Sequence, residues 1–189
     1  MTDSLKDIHA ASWSALSTAA QGDNPLRILT LATVTPEGWP EARSIVLRRV
    51  EERERLLEFH TDVRSGKWHE VGLDGRATVL GWDPDRRTQL RLSGRIYPAG
   101  PGREAAARAW EGLSKWSKLT YTGPAPATPL KEPRATNGDE PEEGREQFGV
   151  LLFQALSLDW CQLERGNNRR AYFEYEEGDV APTATWIAT

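Results

Sequence analysis

The sequence predicts a mainly β fold with peripheral helices: an α+β β-barrel of Greek-key or split type. Three observations predict it. Roughly seven runs rich in β-branched and apolar residues are separated by turn signals. Helical readings are few and peripheral: the first twenty residues, a short segment after Ser65, and 102–119. The first three strand-like runs follow one another through short turns, as an antiparallel meander does.

Residues 4–20 read as a helix, with Leu5, Ile8, Ala11, Ala15 and Ala19 at three- and four-residue steps and Ser4 as N-cap. "NPL" ends it. "RILTLATVT" (27–35) is a strand that stops at the turn "PEGWP"; "EARSIVLRRV" (41–50) and "ERLLEFHT" (54–61) are the next two. Ser65 caps a short helix over "GKWHEVGL". "RATVLGWD" (76–83) and "TQLRLSGRIYP" (88–98) are strands, and 102–119 is helical. Residues 122–146 hold five of the twelve prolines and no apolar period, which predicts a long flexible loop. "QFGVLLFQALSLDWCQL" (147–163) is a long strand or bulged pair, followed by strands at 169–176 and 184–188. No repeat interrupts this order, and 1–189 reads as one domain.

A chain of 189 residues can bury a sizeable core, and its 38% hydrophobic and 28% charged residues are ordinary for a globular protein. The net charge of −4 argues against a general affinity for nucleic acid or anionic lipid. No apolar run is long enough for a membrane span, and "MTDSLKDIHAASW" lacks the pattern of a secretory signal. A single cysteine, Cys161, excludes an intramolecular disulfide and fits a cytoplasmic location. Histidines 9, 60 and 69 show no metal-ligand spacing, so no metal site is expected.

Against this acidic balance the local cations stand out. Arg43 and Arg48 bracket "SIVL"; five residues apart, they lie on opposite faces of a regular strand unless it twists or bulges. Thr61, Ser65 and Lys67 follow at a strand end and helix start. Fixed cations, hydroxyls and helix-start amides are what a phosphate monoester requires. Gln89 offers an amide that donates and accepts, suited to the edge of a heteroaromatic ring. Trp160 and Arg170 add a flat apolar surface and another cation. Together they describe a site for a phosphorylated planar ring. Singly, each has an ordinary reading: solvated strand arginines, a helix cap, a packed tryptophan. No G-x-G-x-x-G follows a strand, so a Rossmann site is not supported.

Order and spacing tie these residues together. The sequence resembles the pyridoxamine 5'-phosphate oxidase-like family of FMN-binding split barrels. "RSIVLR" (43–48), "FHTDVRSGK" (59–67), "RTQLRLSGRIYP" (87–98) and "DWCQLERGNNRRAYF" (159–173) are similar to four of its motifs, in family order. The resemblance implies FMN at a homodimer interface. Carried over by position, Arg43, Arg48, Ser65 and Lys67 hold the phosphate and ribityl chain. Ser44, Ile45, Val46, Leu47, His60 and Thr61 line the ring or tail. Gln89 meets the polar edge of the ring, and Trp160 and Arg170 come from the partner chain in some or all of these contacts. It implies an FMN-dependent oxidoreductase acting on a small molecule, with no general base assigned. The alternative is a non-catalytic barrel that holds FMN or haem.

The departures fall on the substrate side. Gly166 and Asn168 stand where vitamin-B6 oxidases carry an Arg-x-His pair, Gly66 replaces a basic residue, and Arg48 replaces a lysine. "AWEGLSKWSKLTY" has no clear match to the residues that grip the substrate phosphate. The pattern is closer to the cyanobacterial-type FMN-binding branch, whose substrate is generally unassigned.

Overall fold

The computed structural model describes residues 4–132, 136–176 and 181–189. The chain runs α1 (Leu5–Gln21), β1 (Ile28–Val34), β2 (Pro40–Glu51), β3 (Leu56–Asp62), α2 (Gly66–Leu73), β4 (Arg76–Asp83), β5 (Thr88–Ala99), α3 (Glu104–Glu111), α4 (Lys115–Leu119), β6 (Phe148–Gln162), β7 (Arg169–Glu174) and β8 (Thr183–Trp186). Short 3₁₀ turns occupy Pro25–Arg27 and Pro141–Gln147.

The strands pair in the order β3-β2-β1-β4-β5-β6-β7-β8, and β3 also pairs with β6. The first six therefore close into a barrel, while β7 and β8 continue the sheet beyond β6. All the pairings are antiparallel. The split lies within β6, whose first half pairs with β3 from Phe148 to Gln154 and whose second half pairs with β7 from Ser157 to Gln162. Opposite this switch the β5–β6 register slips between Ser93 and Gly94. A Cβ on Gly94 would come within 2.0 Å of the Gln154 carbonyl oxygen, so only glycine lets the two backbones approach here.

Alternating residues fill the barrel: Leu29 and Leu31, Ile45 and Leu47, Leu57 and Phe59, Leu90 and Leu92, Leu151 and Phe153. Helix α1 plugs one end. Ser4 and Asp7 form its capping box, at the predicted start. Its buried face is Ile8, Ser12, Trp13, Leu16 and Ala19, which keeps Ile8 and Ala19 of the expected stripe and is turned toward Trp13 and Leu16. The larger side chains decide the docking, since burying each of Trp13 and Leu16 is worth roughly 1.5–3 kcal/mol and burying an alanine much less. A second, smaller core lies under α3, where Ala106, Ala109 and Trp110 pack on Phe148 and Val150.

The helix expected over 102–119 is two helices, broken at Gly112, with Ser114 capping the second through the Ser117 amide at 3.2 Å. In the proline-rich stretch, described residues are anchored: the Gly138 amide donates to Thr122 Oγ1 at 2.6 Å and Arg64 donates to the Gly123 carbonyl at 3.0 Å. The part of the expected flexible loop at 133–135 lies outside the described residues. Among the described residues no helix is long and apolar enough to cross a membrane.

Candidate functional site

A cavity of about 260 Å³ opens on the outer wall of the barrel, against β1, β2 and β3. Along β2 the inward side chains are Ile45 and Leu47, both buried, so Ser44, Val46 and Arg48 face outward. The regular alternation then stops. Leu47 pairs with Phe59 but Arg49 pairs with Glu58, so Arg48 is the extra residue of a β-bulge. The bulge places two consecutive arginines on the outer face. Arg48 lines the cavity, and Arg49 turns to Glu58 at 3.6 Å.

Strand β3 and the start of α2 supply the opposite wall. His60, Thr61, Asp62 and Lys67 line it, and Thr120 and Tyr121 close it from the segment after α4. Lys67 Nζ donates to Thr61 Oγ1 at 3.1 Å. Burial, and then the nearby Arg43 guanidinium, push the Lys67 amine below its ordinary pKa. Thr61 is braced from behind by Ser65 Oγ at 3.2 Å, which also donates to the Asp62 carbonyl at 2.7 Å. Ser65 thus stands at the N-cap position of α2 but makes no side-chain cap bond. Burial pushes the Tyr121 phenol up to about 12, partly offset by the Arg48 charge, so Tyr121 enters the site as a neutral hydroxyl.

Two buried polar atoms of cavity-lining residues have no hydrogen-bond partner among the described residues: Arg48 Nε and His60 Nδ1. Each carries a cost of about 1–3 kcal/mol if left unpaired. With Lys67, they form a set of groups that lacks an anion and other polar partners. A ligand with a phosphate for Lys67 and Arg48 and a further polar group for His60 would satisfy it, and FMN, which has both, fits the residues present.

The remaining predicted residues lie elsewhere. Arg43 points to the inner side, where it pairs with Glu70 of α2 at 3.0 Å and with Glu41 at 2.7 Å and donates to Thr33. It acts on the cavity through its field on Lys67. The Leu47 side chain is in the core. Gln89, Cys161 and Arg170 stand in one row across β5, β6 and β7, on the outer face. Trp160 is one residue out of that row and faces inward, 7% exposed, against a separate cavity of about 440 Å³ beneath α1. Sequence reasoning missed Ile28, Asp62, Thr120 and Tyr121. Asp62 is held by Arg64 at 2.6 Å, a local Asp-x-Arg pair visible in the sequence; Tyr121 follows a helix end with no periodic signal.

A barrel that closes with six strands, splits at β6 and gathers an outer-wall cavity from β2, β3 and α2 is a split barrel. Residues 10–99 match the family model described as pyridoxamine 5'-phosphate oxidase, FMN-binding domain. This part of the chain, just under half of it, is thus similar to the FMN-binding domain of the pyridoxamine 5'-phosphate oxidase family. It is 26% identical to pyridoxine/pyridoxamine 5'-phosphate oxidase 2 of Arabidopsis thaliana, over 87% of this chain and 89% of that one. It is 34% identical to the pyridoxine/pyridoxamine 5'-phosphate oxidase of Trichormus variabilis, over 44% of this chain and 38% of that one. Among solved structures, a pyridoxamine 5'-phosphate oxidase-related, FMN-binding protein of Nostoc punctiforme superposes with a TM-score of 0.78 at 25% identity, over the whole of both chains.

Proposed function

We propose that the protein is an FMN-dependent oxidoreductase of the pyridoxamine 5'-phosphate oxidase type, acting on a small substrate other than the vitamin-B6 phosphates. The observation that carries it is the cavity with unsatisfied Arg48 Nε and His60 Nδ1 beside Lys67. Arg48, Lys67 and Thr61 would hold the phosphate, with Ser65 and Arg43 supporting them. Bound FMN would supply hydride-accepting chemistry; the chain's own residues bind it, orient it and exclude water.

Two features support a homodimer. The cavity of about 260 Å³ is smaller than the roughly 300–1,000 Å³ usual for a ligand of this size. A second copy would complete it, and the outer-face row of Gln89, Cys161 and Arg170, flanked by Trp82 at 43% exposed, offers the surface for doing so.

The change of substrate rests on the β6–β7 turn. Gly166 has φ +86°, a conformation that a non-glycine residue adopts only with strain, and Asn168 Oδ1 accepts the Glu164 amide at 3.1 Å. The two positions that would carry a substrate-gripping Arg-x-His pair serve the turn instead.

The test is the visible spectrum of the purified protein with the released chromophore identified by mass. FMN at about one per chain, reduced by a pyridine nucleotide or amine donor under anaerobic conditions, is the expected result. Protein that refuses added FMN overturns the reading. Protein that binds FMN but shows no reduction by any donor reduces it to a binding module.

A further inference from the structure

The residue beneath His60 is one that no motif singled out. Glu58 stands two residues earlier on the same outer face of β3 and is 3% exposed. A buried carboxylate with no role is rare, because desolvation opposes its charge. Here three groups converge on it. Oε1 accepts from His60 Nε2 at 3.3 Å. Oε2 accepts from Arg108 of α3 and lies 3.6 Å from Arg49 of β2. Burial opposes ionisation, but the His60 hydrogen bond and the Arg108 and Arg49 charges outweigh it and hold the carboxyl below its ordinary range.

The ring of His60 is correspondingly fixed. It meets Phe148 edge-on with centroids 5.0 Å apart, and its side chain is 8% exposed. In a neutral imidazole only one nitrogen carries hydrogen, and the bond made by one nitrogen decides the state of the other. An ionised carboxylate can only accept, so Nε2 carries the hydrogen. In the neutral ring Nδ1, the buried atom without a partner among the described residues, is then a bare acceptor at a residue that lines the cavity.

We propose that Glu58 is a positioning residue that fixes His60 as its Nε2–H tautomer, so that Nδ1 selects a ligand group that donates a hydrogen bond. The inference rests on the reading of the cavity as an FMN site and deepens it. A phosphate, which accepts, is unsuited to Nδ1 and belongs with Lys67 and Arg48. A hydroxyl or imide N–H, the donor types that FMN has, suits Nδ1. Arg108 extends the chain of contacts to α3, so the state of the cavity is tied to a helix outside the barrel wall.

The test uses nitrogen-15 histidine-labelled full-length protein, with His60 assigned by the loss of its signals in His60→Phe, and FMN affinity followed by flavin fluorescence. In the unmodified protein His60 is expected as the Nε2–H tautomer. In Glu58→Gln the two guanidinium groups attract the amide oxygen and leave the amide NH₂ facing Nε2. His60 then inverts to the Nδ1–H tautomer, and FMN affinity falls about five- to ten-fold, the size of one net hydrogen bond. His60→Phe, which keeps the ring packing, shows a similar loss. An Nδ1–H tautomer or a doubly protonated ring in the unmodified protein overturns the proposal without any variant. So does an unchanged tautomer in Glu58→Gln, or wild-type affinity in His60→Phe. Failure of the unmodified protein itself to bind FMN overturns the FMN reading instead, and the tautomer measurement still decides the role of Glu58.

Discussion

Trp160 and Arg170 lie on neighbouring strands of one hairpin and point to opposite faces of the sheet. Trp160 pairs with Ala171 and Cys161 with Arg170, so a separation that looks like one motif in sequence places the indole inside and the guanidinium outside. The indole packs in the core with Leu90 and Ala171, and the Arg169 guanidinium lies 5.5 Å from its centroid. Arg170 grips Asp159 with two bonds of 2.9 and 2.7 Å. The two residues should therefore fail differently. Trp160→Ala is expected to cost about 3–5 kcal/mol of stability, the range for large core truncations. Arg170→Ala should cost about 1–2 kcal/mol, because Arg91 still pairs with the buried Asp159. Its main effect should be weaker dimerisation and FMN binding. Urea denaturation with sedimentation of each variant separates these outcomes; equal loss of stability in both would contradict the face assignment.

Arg48 and Lys67 invert the usual relation between a buried charge and stability. Among the described residues Arg48 Nε has no partner and Lys67 donates to a hydroxyl, with burial and Arg43 outweighing the Asp62 and Glu70 charges, so neither is well compensated in the free protein. Lys67→Ala should leave the melting temperature of the FMN-free protein unchanged or raised. It should weaken FMN binding about 10- to 100-fold, as expected for one charge-assisted contact of roughly 1.5–3 kcal/mol. A Lys67→Ala protein that melts lower without FMN and binds it normally would assign the lysine to the fold.

The direction of the Lys67 shift gives a pH dependence. Burial and Arg43 lower its pKa in the free protein, and a bound phosphate would raise it again. Binding then requires a protonated amine. FMN affinity should fall as pH rises through the lowered Lys67 pKa. Lys67→Arg, whose charge persists there, should flatten the fall. Titrations of both proteins with FMN between pH 7 and 10 check this.

Much of this was legible in the sequence, and the failures share a cause. Strand positions follow from short apolar runs, and their bounds differ from expectation by one or two residues. The bulge at Arg48 was one of two possibilities left open by the odd spacing of Arg43 and Arg48. What one dimension could not supply was the face of each residue beyond a bulge or hairpin. Hence Arg43, Ser65 and Trp160 support or lie apart from the cavity, whereas Thr120 and Tyr121 enter it. The α1 stripe was legible in part, since Ile8 and Ala19 are buried and Leu5 and Ala15 pack against the core; Trp13 and Leu16 shift its centre because side-chain volume chooses between adjacent faces of a helix.

The β6–β7 turn predicts a negative result with a positive control. Gly166 at φ +86° and Asn168 bound to the Glu164 amide make this segment a turn first. Oxygen uptake with pyridoxamine 5'-phosphate should be at background in the FMN-loaded protein, while the flavin remains reducible by another donor. Restoring Arg at 166 should not by itself restore vitamin-B6 activity, because a Cβ in the left-handed region costs about 1–2 kcal/mol and shifts the turn. Robust turnover of pyridoxamine 5'-phosphate would show that another element grips the substrate.

The contact between α1 and Tyr175, which follows β7, should make the fold sensitive to acid. Tyr175 Oη accepts from Trp13 Nε1 at 2.9 Å and lies 3.0 Å from His9 Nε2. With one hydrogen already accepted, the phenol donates its own to a neutral His9. Burial, and then the Arg55 charge, lower the His9 pKa, so the fold favours the neutral ring. The sign follows. The unfolded chain takes up a proton near the ordinary histidine value of about 6.5, and the folded protein takes it up at lower pH. Stability from this contact is complete above that value and is lost as pH falls through the folded pKa. Removing the titratable ring should remove this part of the acid sensitivity: His9→Gln should be less stable than the parent at pH 8, and the gap should narrow toward pH 5. Parallel urea curves for the two proteins at both pH values measure it. A gap that stays constant with pH would mean that His9 contributes packing alone and that its protonation is not linked to folding.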